Sequence, residues 1–287
     1  IKECMIVDER ANELIDSVLR IATKYKISAF DEYSYKGCLR HLLIRTSNLG
    51  EVMLVLVTGS FNINKKEQFI RDILKYNSYV TTIVQNFNNK HTSMILGDKS
   101  TVLYGKGYIK DELCGLEFKI SPSSFYQINR FQTEVLYNKA LEYAELKEND
   151  TVFDIYCGIG SISLFLAQKA TKVYGIEIVE DAIKDAKINA KLNNLNNVEF
   201  YVGKAEEVVP KMYSEGKTAN VVVVDPPRKG CDEKVLDTIV SMKPDRVVYV
   251  SCNPSTLARD LAYLDERGYK CVEIQPVDMF PHTVHVE

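Results

Sequence analysis

The feature that most constrains the fold is a regular alternation of short β-branched runs with helical segments in the second part of the chain. Five valine-rich apolar runs recur between residues 152 and 250, and helical patterns separate them. Strand, helix, strand at this spacing predicts a doubly wound α/β sheet whose strands are buried on both faces. The runs are residues 152–156, 173–178, 198–202, 221–224 and 247–250, and the helical patterns are residues 161–169, 180–193, 233–242 and 255–267.

The first part of the chain has a different pattern, which predicts a smaller antiparallel α+β domain. Its two leading β-rich runs are joined by Ser47-Asn48-Leu49-Gly50, which is typical of a hairpin. A length of 287 residues suits two domains, and we place them at residues 1–123 and 124–287. The elements predicted in the first are helices over 8–25 and 65–76, strands over 37–46, 51–59 and 79–86, and further short strands through residue 118.

Composition narrows the class of protein. Apolar residues make up 46% and charged residues 26%, the balance of a globular chain, and no run of 18 apolar residues predicts a membrane span. The seven cysteines are widely spaced without a CxxC pair, which is typical of a reducing compartment. We therefore expect a cytoplasmic protein with no membrane association and no obligate protein partner. Because it opens with Ile1 rather than Met, the chain is expected to begin inside a longer protein.

The net charge of −3 argues against a generally cationic nucleic-acid binder. The charge is divided unevenly, however. Residues 1–123 hold 17 basic and 14 acidic residues, whereas residues 124–287 hold 19 and 25. Lys36, Arg40, His41 and Arg45 lie on or beside the first predicted hairpin. Both an RNA-facing surface and an ordinary solvated face are consistent with that run of charge.

Glycines and carboxylates follow the predicted strands at the edge where open parallel sheets bind their ligands. Gly158 and Gly160 allow a tight turn and the close approach of a ligand. Glu177, at the end of the next strand, is placed to accept the hydroxyls of a ribose. Ser163 stands where a dinucleotide fingerprint has its third glycine. The pattern therefore favours an adenosyl ligand without phosphates, S-adenosylmethionine (SAM), over a dinucleotide.

Two further strand ends carry side chains with chemical potential. Asp225 precedes two prolines, which hold its turn rigid, although a solvated loop carboxylate fits the same pattern. Cys252 ends the last run before Asn253-Pro254. A cysteine there is often a small buried residue. The helix that follows near Ser255 predicts a lowered thiol pKa, which favours a nucleophile.

Five motifs occur in the order in which one enzyme family carries them. Together they resemble the SAM-dependent RNA (uracil-C5)-methyltransferases, which make 5-methyluridine in ribosomal or transfer RNA. The resemblance covers residues 124–287 and is specific as a set. The motifs are Ser124-Phe125-Tyr126-Gln127-Ile128-Asn129, Asp154-Ile155-Tyr156-Cys157-Gly158-Ile159-Gly160, Asp225-Pro226-Pro227-Arg228-Lys229-Gly230, Ser251-Cys252-Asn253-Pro254, and Asp278-Met279-Phe280-Pro281-His282-Thr283 with His285-Val286-Glu287.

The resemblance implies a class I SAM-dependent methyltransferase domain and a role for each matching residue. Cys252 would be the nucleophile and Glu287 the base. A thiolate that adds to uracil C6 makes C5 nucleophilic toward the methyl group, and the C5 proton must then leave so that the cysteine is eliminated. Glu287 is also the last residue of the chain and fits a solvated terminus equally. The residues implied to line the SAM site are Gln127, Tyr156, Glu177 and Asp225, with Glu177 on the ribose.

The resemblance also implies contacts with the RNA and a metal cluster. A target uridine must leave its stack, and Phe125, Tyr126 and Phe280 are candidates to hold it, although scattered aromatics are more often core residues. The rRNA-modifying branch carries an N-terminal TRAM domain and a [4Fe–4S] cluster held by four cysteines. Cys4 matches the fourth of these by context. This match favours 23S rRNA over tRNA as the substrate.

The motifs leave three alternatives open. An amino-nitrogen methyltransferase also uses an Asp-Pro-Pro turn, but it has no use for Cys252 and typically has an aromatic where Arg228 stands. A catalytically silent RNA-binding or assembly factor would keep the same fold. A nicotinamide dehydrogenase is disfavoured by Ser163.

Overall fold

A computed structural model describes Cys4 and residues 6–287. The chain divides into two compact units. One unit runs up to Glu112 and includes Lys119–Ser123, and the other consists of Leu113–Phe118 and Ser124–Glu287. Among the described residues, no helix is both long enough and apolar enough to cross a bilayer.

The first unit packs two helices on a four-stranded sheet of order β1-β2-β3-β4. Helix α1 begins where the Asp8 carboxylate accepts the Arg10 backbone N–H. It buries one apolar stripe, including Leu14 and Val18, against the sheet. The elements are α1 (Glu9–Lys24), β1 (Leu39–Thr46), β2 (Val52–Thr58), α2 (Lys66–Tyr76), β3 (Thr82–Phe87) and β4 (Lys99–Tyr104). A separate hairpin of β5 (Ile109–Leu113) and β6 (Leu116–Ile120) follows in sequence, and its Leu113–Phe118 part belongs to the second unit.

The predicted hairpin is confirmed, but this sheet is not wholly antiparallel. Strands β1 and β2 pair antiparallel around a turn closed by Gly50, at φ 81°. Strands β2 and β3, in contrast, are parallel. Helix α2 lies between them in sequence, and a strand–helix–strand crossover returns the chain in the same direction. The α+β class holds, and the sheet is mixed.

The second unit contains the predicted α/β sheet, whose five strands are all parallel in the order β11-β10-β7-β8-β9. Two of its helices, α3 and α6, were not predicted. The elements are α3 (Arg130–Ala144), β7 (Thr151–Ile155), α4 (Ser161–Ala167), β8 (Lys172–Glu177), α5 (Glu180–Leu192), β9 (Val198–Val202), α6 (Ala205–Ser214), β10 (Val221–Val224), α7 (Glu233–Met242), β11 (Arg246–Tyr249) and α8 (Pro254–Asp265).

Side chains of this sheet alternate between two buried faces, as a doubly wound fold requires. Phe153 and Ile155 of β7 join a core built with α6, α7 and α8. Asp154 lies between them in sequence, faces the other way and contacts Ser163 of α4. A carboxylate therefore lies at the centre of an otherwise apolar sheet, at the end of the strand that leads into the glycine turn.

Candidate active site

The carboxyl ends of four neighbouring strands bring the predicted site residues to one edge of the sheet. Strand β10 lies between β11 and β7, and β8 follows β7. The register aligns Val224 with Ile155 on one side and Tyr249 on the other. Asp225, immediately after β10, is therefore next to the turn that follows β7, and Cys252 lies a short loop beyond β11. Parallel pairing thus assembles a site from segments almost a hundred residues apart in sequence.

Glu177 is tied to the glycine turn. Its carboxylate accepts the backbone N–H of Gly158 at 3.2 Å and that of Val179 at 2.9 Å. Gly158 has φ 55°, and a Cβ atom added to it would meet nothing within 4 Å. Gly160, at φ 80°, begins α4 and packs against the Phe200 ring. Gly160 is therefore packed against protein, whereas Gly158 borders open space that leaves room for a ligand.

Asp154 and Ser163 form a buried pair that sequence reasoning missed. Both residues are fully buried, and the Ser163 hydroxyl donates to Asp154 Oδ2 at 2.5 Å, while Oδ1 has no partner among the described residues. Burial raises the pKa of Asp154 to about 7. In the sequence, Ser163 stands out only because it replaces the third glycine of a dinucleotide fingerprint. Its hydroxyl supplies the hydrogen bond that a buried carboxyl group requires. The signal was available, because an acidic residue inside a valine-rich central strand needs a polar neighbour.

The segment that carries Gln127 is fixed at both ends. Ser124 donates to Asp185 of α5 at 2.8 Å, and Asn129, the N-cap of α3, donates to the Met279 carbonyl at 3.1 Å. Gln127 is buried between these anchors and hydrogen-bonds the side chain of Glu287. The structure therefore brings together two predicted site residues that are 160 positions apart.

The backbone of Glu287 is also fixed. Its N–H donates to the Val277 carbonyl at 3.1 Å, and its own carbonyl accepts the Val277 N–H at 2.6 Å. The side chain is half-buried, and burial raises its pKa, although the Gln127 hydrogen bond opposes that shift. A freely solvated terminal carboxylate does not fit this arrangement.

The loops that carry Asp225 and Cys252 are braced by helix α8. Asn253 caps α8 and donates to the Arg228 carbonyl at 3.0 Å. Asp260, almost fully buried, accepts the Cys231 backbone N–H at 2.8 Å and the Tyr249 hydroxyl at 2.6 Å. Sequence reasoning did not find Asp260, because a lone acid on a helix resembles a surface residue. It holds the Asp-Pro-Pro loop and the last strand in one position.

The pKa of the Cys252 thiol is raised, whereas the sequence predicted that it is lowered. Burial raises its pKa, and the negative charges of Glu287 and Asp225 raise it further, while Arg228 acts in the other direction. Burial likewise raises the pKa of Asp225 well above its usual range, with Glu287 and Asp154 adding to the shift. The start of α8 was expected to lower the thiol pKa. Burial, together with the nearby carboxylates, outweighs that influence.

Two tyrosines belong to this region of the second unit, and only Tyr156 was predicted. Tyr156 has a left-handed backbone, φ 71°, and its side chain packs on the core formed with α6 and α7, where burial and the nearby Cys231 raise its pKa. Tyr137 of α3, which was not predicted, is buried and lies 3.0 Å from the Ser161 hydroxyl. Burial raises the pKa of Tyr137, and the charges of Asp225 and Glu287 contribute to that shift. A role for Tyr156 in lining a SAM site stays a prediction.

The remaining predicted contacts are spread over the chain. Phe125 is 69% exposed, while Tyr126 contacts Phe118 and Phe280 contacts His285. On the first hairpin, the Arg40 side chain is only 2% exposed and pairs with Glu32 at 2.7 Å. Arg40 therefore forms an ion pair within its own unit and does not belong to a solvated face. A contact between the first hairpin and RNA stays a prediction.

Cys4 is half-buried, and its backbone exchanges two hydrogen bonds with the Asn12 side chain, at 3.1 and 3.2 Å. Within Cys4 and residues 6–287, no three His, Cys, Asp or Glu side chains are arranged to hold a metal ion. The described residues alone therefore do not fit an iron–sulfur cluster, and Cys4 as a ligand stays a prediction.

The site's electrostatics fit a cationic ligand. Asp154, Glu177, Asp225 and Glu287 converge on one sheet edge, and three of them have raised pKa values. A positive charge placed among them would relieve their mutual repulsion. SAM carries a sulfonium and an ammonium group, and the open position beside Gly158 leaves room for such a molecule.

Comparisons with known proteins agree with this arrangement. The sequence profile of the tRNA (uracil-5-)-methyltransferase family matches residues 86–287. A Bacillus cereus protein described as an uncharacterized RNA methyltransferase is 58% identical over 287 residues, which is all of this chain and 62% of that protein. A Clostridium tetani protein of the same description is 50% identical over 288 residues, covering 63% of its length. The chain thus spans about three fifths of the length of these relatives.

Solved structures extend the comparison to the fold. The crystal structure of Pyrococcus abyssi tRNA (uracil-54, C5)-methyltransferase with S-adenosyl-L-homocysteine superposes with a TM-score of 0.83 at 31% identity, covering all of this chain and 68% of that one. A putative SAM-dependent methyltransferase from Streptococcus mutans gives a TM-score of 0.51 at 10% identity, over 94% and 76% of the two chains, and shows likeness of fold alone.

The parallel sheet, its glycine turn and the acidic residues at its carboxyl edge define the fold of a class I SAM-dependent methyltransferase. Within that class, the chain belongs to the tRNA (uracil-5-)-methyltransferase family. The expectation drawn from the sequence motifs is therefore confirmed at the level of fold and family.

Proposed function

We propose that the protein transfers the methyl group of SAM to C5 of a uridine in RNA. The observation that carries the proposal is the convergence of Cys252, Asp225 and Glu287, which are close enough for both carboxylates to raise the thiol pKa. A thiol, a basic carboxylate and a site suited to a cation are the groups that this reaction needs. An amino-nitrogen methyltransferase or a silent binding factor has no need for the thiol.

In the proposed reaction, the Sγ atom of Cys252 bonds to uracil C6, and the electron pair moves onto the C4 carbonyl oxygen as an enolate. C5 then takes the methyl group, and the donor leaves as a neutral thioether. Glu287 removes the C5 proton, and the Sγ–C6 bond breaks to return the thiolate. Burial raises the pKa of Glu287, which makes its carboxylate a stronger base for the C5 proton.

The cationic donor also accounts for how a thiol with a raised pKa becomes reactive. Burial is the main cause of the raised pKa of Cys252, and positive charge among Asp225 and Glu287 would offset the part that these two carboxylates add. Donor binding would therefore favour the thiolate, so that the nucleophile is activated when the methyl group is present. In this proposal Glu177 and Gln127 hold the donor, and Gln127 also orients Glu287. The contact of Glu177 with the Gly158 N–H and the effect of Gln127 on the pKa of Glu287 support these roles.

Among RNA substrates we favour 23S rRNA, because Cys4 matches the position of a cluster ligand in the rRNA-modifying branch, which would make a [4Fe–4S] cluster a further cofactor of the longer protein. Transfer RNA is the second candidate. The matched family and the Pyrococcus abyssi enzyme, which is 31% identical over this whole chain, both favour it.

The test is mass spectrometry of nucleosides from 23S rRNA fragments and from tRNA, each incubated with SAM and the protein. Native protein is expected to make 5-methyluridine in one of them. Cys252→Ala should abolish the product, while Cys271→Ala, which alters an exposed cysteine, should leave it unchanged. Glu287→Gln should accumulate a protein–RNA adduct, and exposed Glu273→Gln should not. If the Cys252→Ala protein still made 5-methyluridine, the proposed covalent mechanism would be refuted.

A further inference from the structure

An exposed aromatic stack lies in the first unit, in the connection between β2 and α2. The ring of Phe61 stacks on that of Phe87, with centroids 3.8 Å apart and planes inclined by 17°. Phe87 ends strand β3 and is half-buried, but Phe61 is 53% exposed. One face of the Phe61 ring is therefore covered by another ring, and the rest of it is presented to solvent as a flat apolar surface.

Hydrogen bonds from a buried side chain hold the backbone that carries Phe61 in place. Gln85, buried in β3, donates from Nε2 to the carbonyl oxygens of Ser60 at 3.2 Å and Phe61 at 3.1 Å. It also donates to the Thr58 hydroxyl at the end of β2, at 2.9 Å. A buried amide thus fixes the backbone on which Phe61 is mounted. Pre-organisation of this kind lowers the entropy cost of binding a planar ligand.

Uncompensated positive charge borders the same ring. The Lys99 Nζ atom lies 5.9 Å from the Phe61 ring centroid, and Lys99 pairs in register with Phe87 across β3 and β4. Within the described part of the chain, Lys99 forms no ion pair. A flat ring bordered by an unpaired cation suits a nucleobase and its phosphate better than an apolar peptide.

We propose that the Phe61–Phe87 stack, with Lys99, is a platform on which one unpaired base of the RNA substrate stacks, its phosphate held by Lys99. The proposal deepens the proposed function, on which it rests for the identity of the ligand as RNA. It gives the first unit a defined contact with RNA that does not involve the methyl-transfer residues. Stacking is tolerant of sequence because every base offers a π-face, so the platform supplies affinity and register rather than base identity.

The absence of tryptophan from the 287 residues permits a direct test. Phe61→Trp places a single fluorophore on the stack. Tyr76→Trp is the matched control, because Tyr76 is 61% exposed beside the Lys75 amine at 5.6 Å and, in the described part of the chain, stacks on no other ring. A ten-residue oligouridylate is titrated into each variant, and its affinity is measured separately by the anisotropy of a dye on the oligonucleotide.

We expect the oligouridylate to quench Phe61→Trp emission at least twofold and to leave Tyr76→Trp unchanged. Phe61→Leu, which still covers Phe87, should weaken binding by about tenfold. Lys99→Gln should reduce the slope of log K against log salt by about 0.7, while Lys75→Gln should not. Binding without quenching of Phe61→Trp, or with undiminished affinity in Phe61→Leu, would overturn the platform.

Failure of the platform is distinguishable from failure of the proposed function. If Phe61→Leu binds the oligonucleotide as tightly as native protein while 5-methyluridine still forms, the platform is refuted and the methyl transfer stands. If Phe61→Leu weakens RNA binding and no 5-methyluridine forms with any RNA, the platform stands and the activity is refuted. Concentration-dependent self-association that is lost in Phe61→Leu, without an effect on RNA, would assign the stack to a second copy of the chain and overturn the proposal.

Discussion

At the residue scale, the candidate site is built on carboxylates that are held where water does not fully solvate them. Asp154 is the extreme case, with no measurable exposure and a pKa raised to about 7 by burial. The sequence places Asp154 in a strand that is buried on both faces, but it does not show that Ser163 is the partner of its carboxylate. That pairing depends on β7 lying in the middle of the sheet, with α4 over it. The same holds for Asp260, whose partners are 11 and 29 residues away.

The titration of Asp154 makes a prediction about stability. Folding raises its pKa from 3.8 to about 7, so between these values the folded state holds a proton that the unfolded chain releases. The contribution of Asp154 to the free energy of unfolding must therefore fall as the pH rises from about 4 to about 7, by up to about 1.4 kcal/mol per pH unit. Urea unfolding of native protein and Asp154→Asn at several pH values measures the difference in slope.

Ser163→Ala is the informative companion variant. The Ser163 hydroxyl lowers the pKa of Asp154, so its loss should raise the upper limit of the pH-dependent window, while the lower limit, set by the unfolded chain, stays near pH 4. If the free energy of unfolding changed with pH identically in native protein and Asp154→Asn, the raised pKa of this buried acid would be contradicted. The slope is the readout, rather than the stability at one pH, because the Asp154→Asn substitution would also bury an amide N–H without an acceptor.

At the element scale, the sequence predicted every strand of the parallel sheet and missed two of its helices. The strands were accessible because strands buried on both faces are continuous valine-rich runs. Helix α3 was missed because its own apolar residues are spread around the helix instead of forming one stripe. Phe131, for example, is exposed and Leu136 is buried. Helix α6 contains Pro210, which lacks an N–H and reads as a break. The parallel β2–β3 pair was predictable from the helix between them, since such a crossover reverses the chain twice.

The glycine turn between β7 and α4 gives a prediction at this scale. Gly158 and Gly160 both have positive φ, so alanine at either position costs about 1–2 kcal/mol of backbone strain. A Cβ at Gly160 would in addition lie 2.9 Å from the Phe200 ring, whereas at Gly158 it would enter open space. Gly160→Ala should therefore destabilise the fold more, and Gly158→Ala should weaken SAM binding in excess of its effect on stability.

Gly216→Ala is the matched control for both variants. Its φ is 86°, a Cβ there meets nothing within 4 Å, and it follows α6 away from the turn. Urea unfolding and calorimetric titration with SAM measure the two quantities. Native SAM affinity in Gly158→Ala, with Gly216→Ala showing the same loss of stability, would contradict a ligand site beside Gly158.

At the scale of the whole molecule, the net charge of −3 conceals two differently charged parts. The acidic excess of residues 124–287 includes the carboxylates of the candidate site, whose repulsion a cationic donor relieves. The slight basic excess of residues 1–123 includes Lys99, beside the Phe61 stack. The sequence could show this division, but not which cations are available. Arg40 is buried in an ion pair, whereas Lys99 has none among the described residues.

The central claim is that Cys252 forms a covalent bond to C6 of a uridine while C5 is methylated. RNA that carries 5-fluorouridine tests it directly, because after methyl transfer C5 bears fluorine and methyl and no proton for Glu287 to remove, so the thiolate cannot be eliminated. Mass spectrometry of peptides from the denatured mixture should find a methylated fluorouridine adduct on Cys252 that forms only when SAM is present. Formation of 5-methyluridine from unmodified RNA, with no adduct on Cys252 from the fluorinated RNA, would contradict the account.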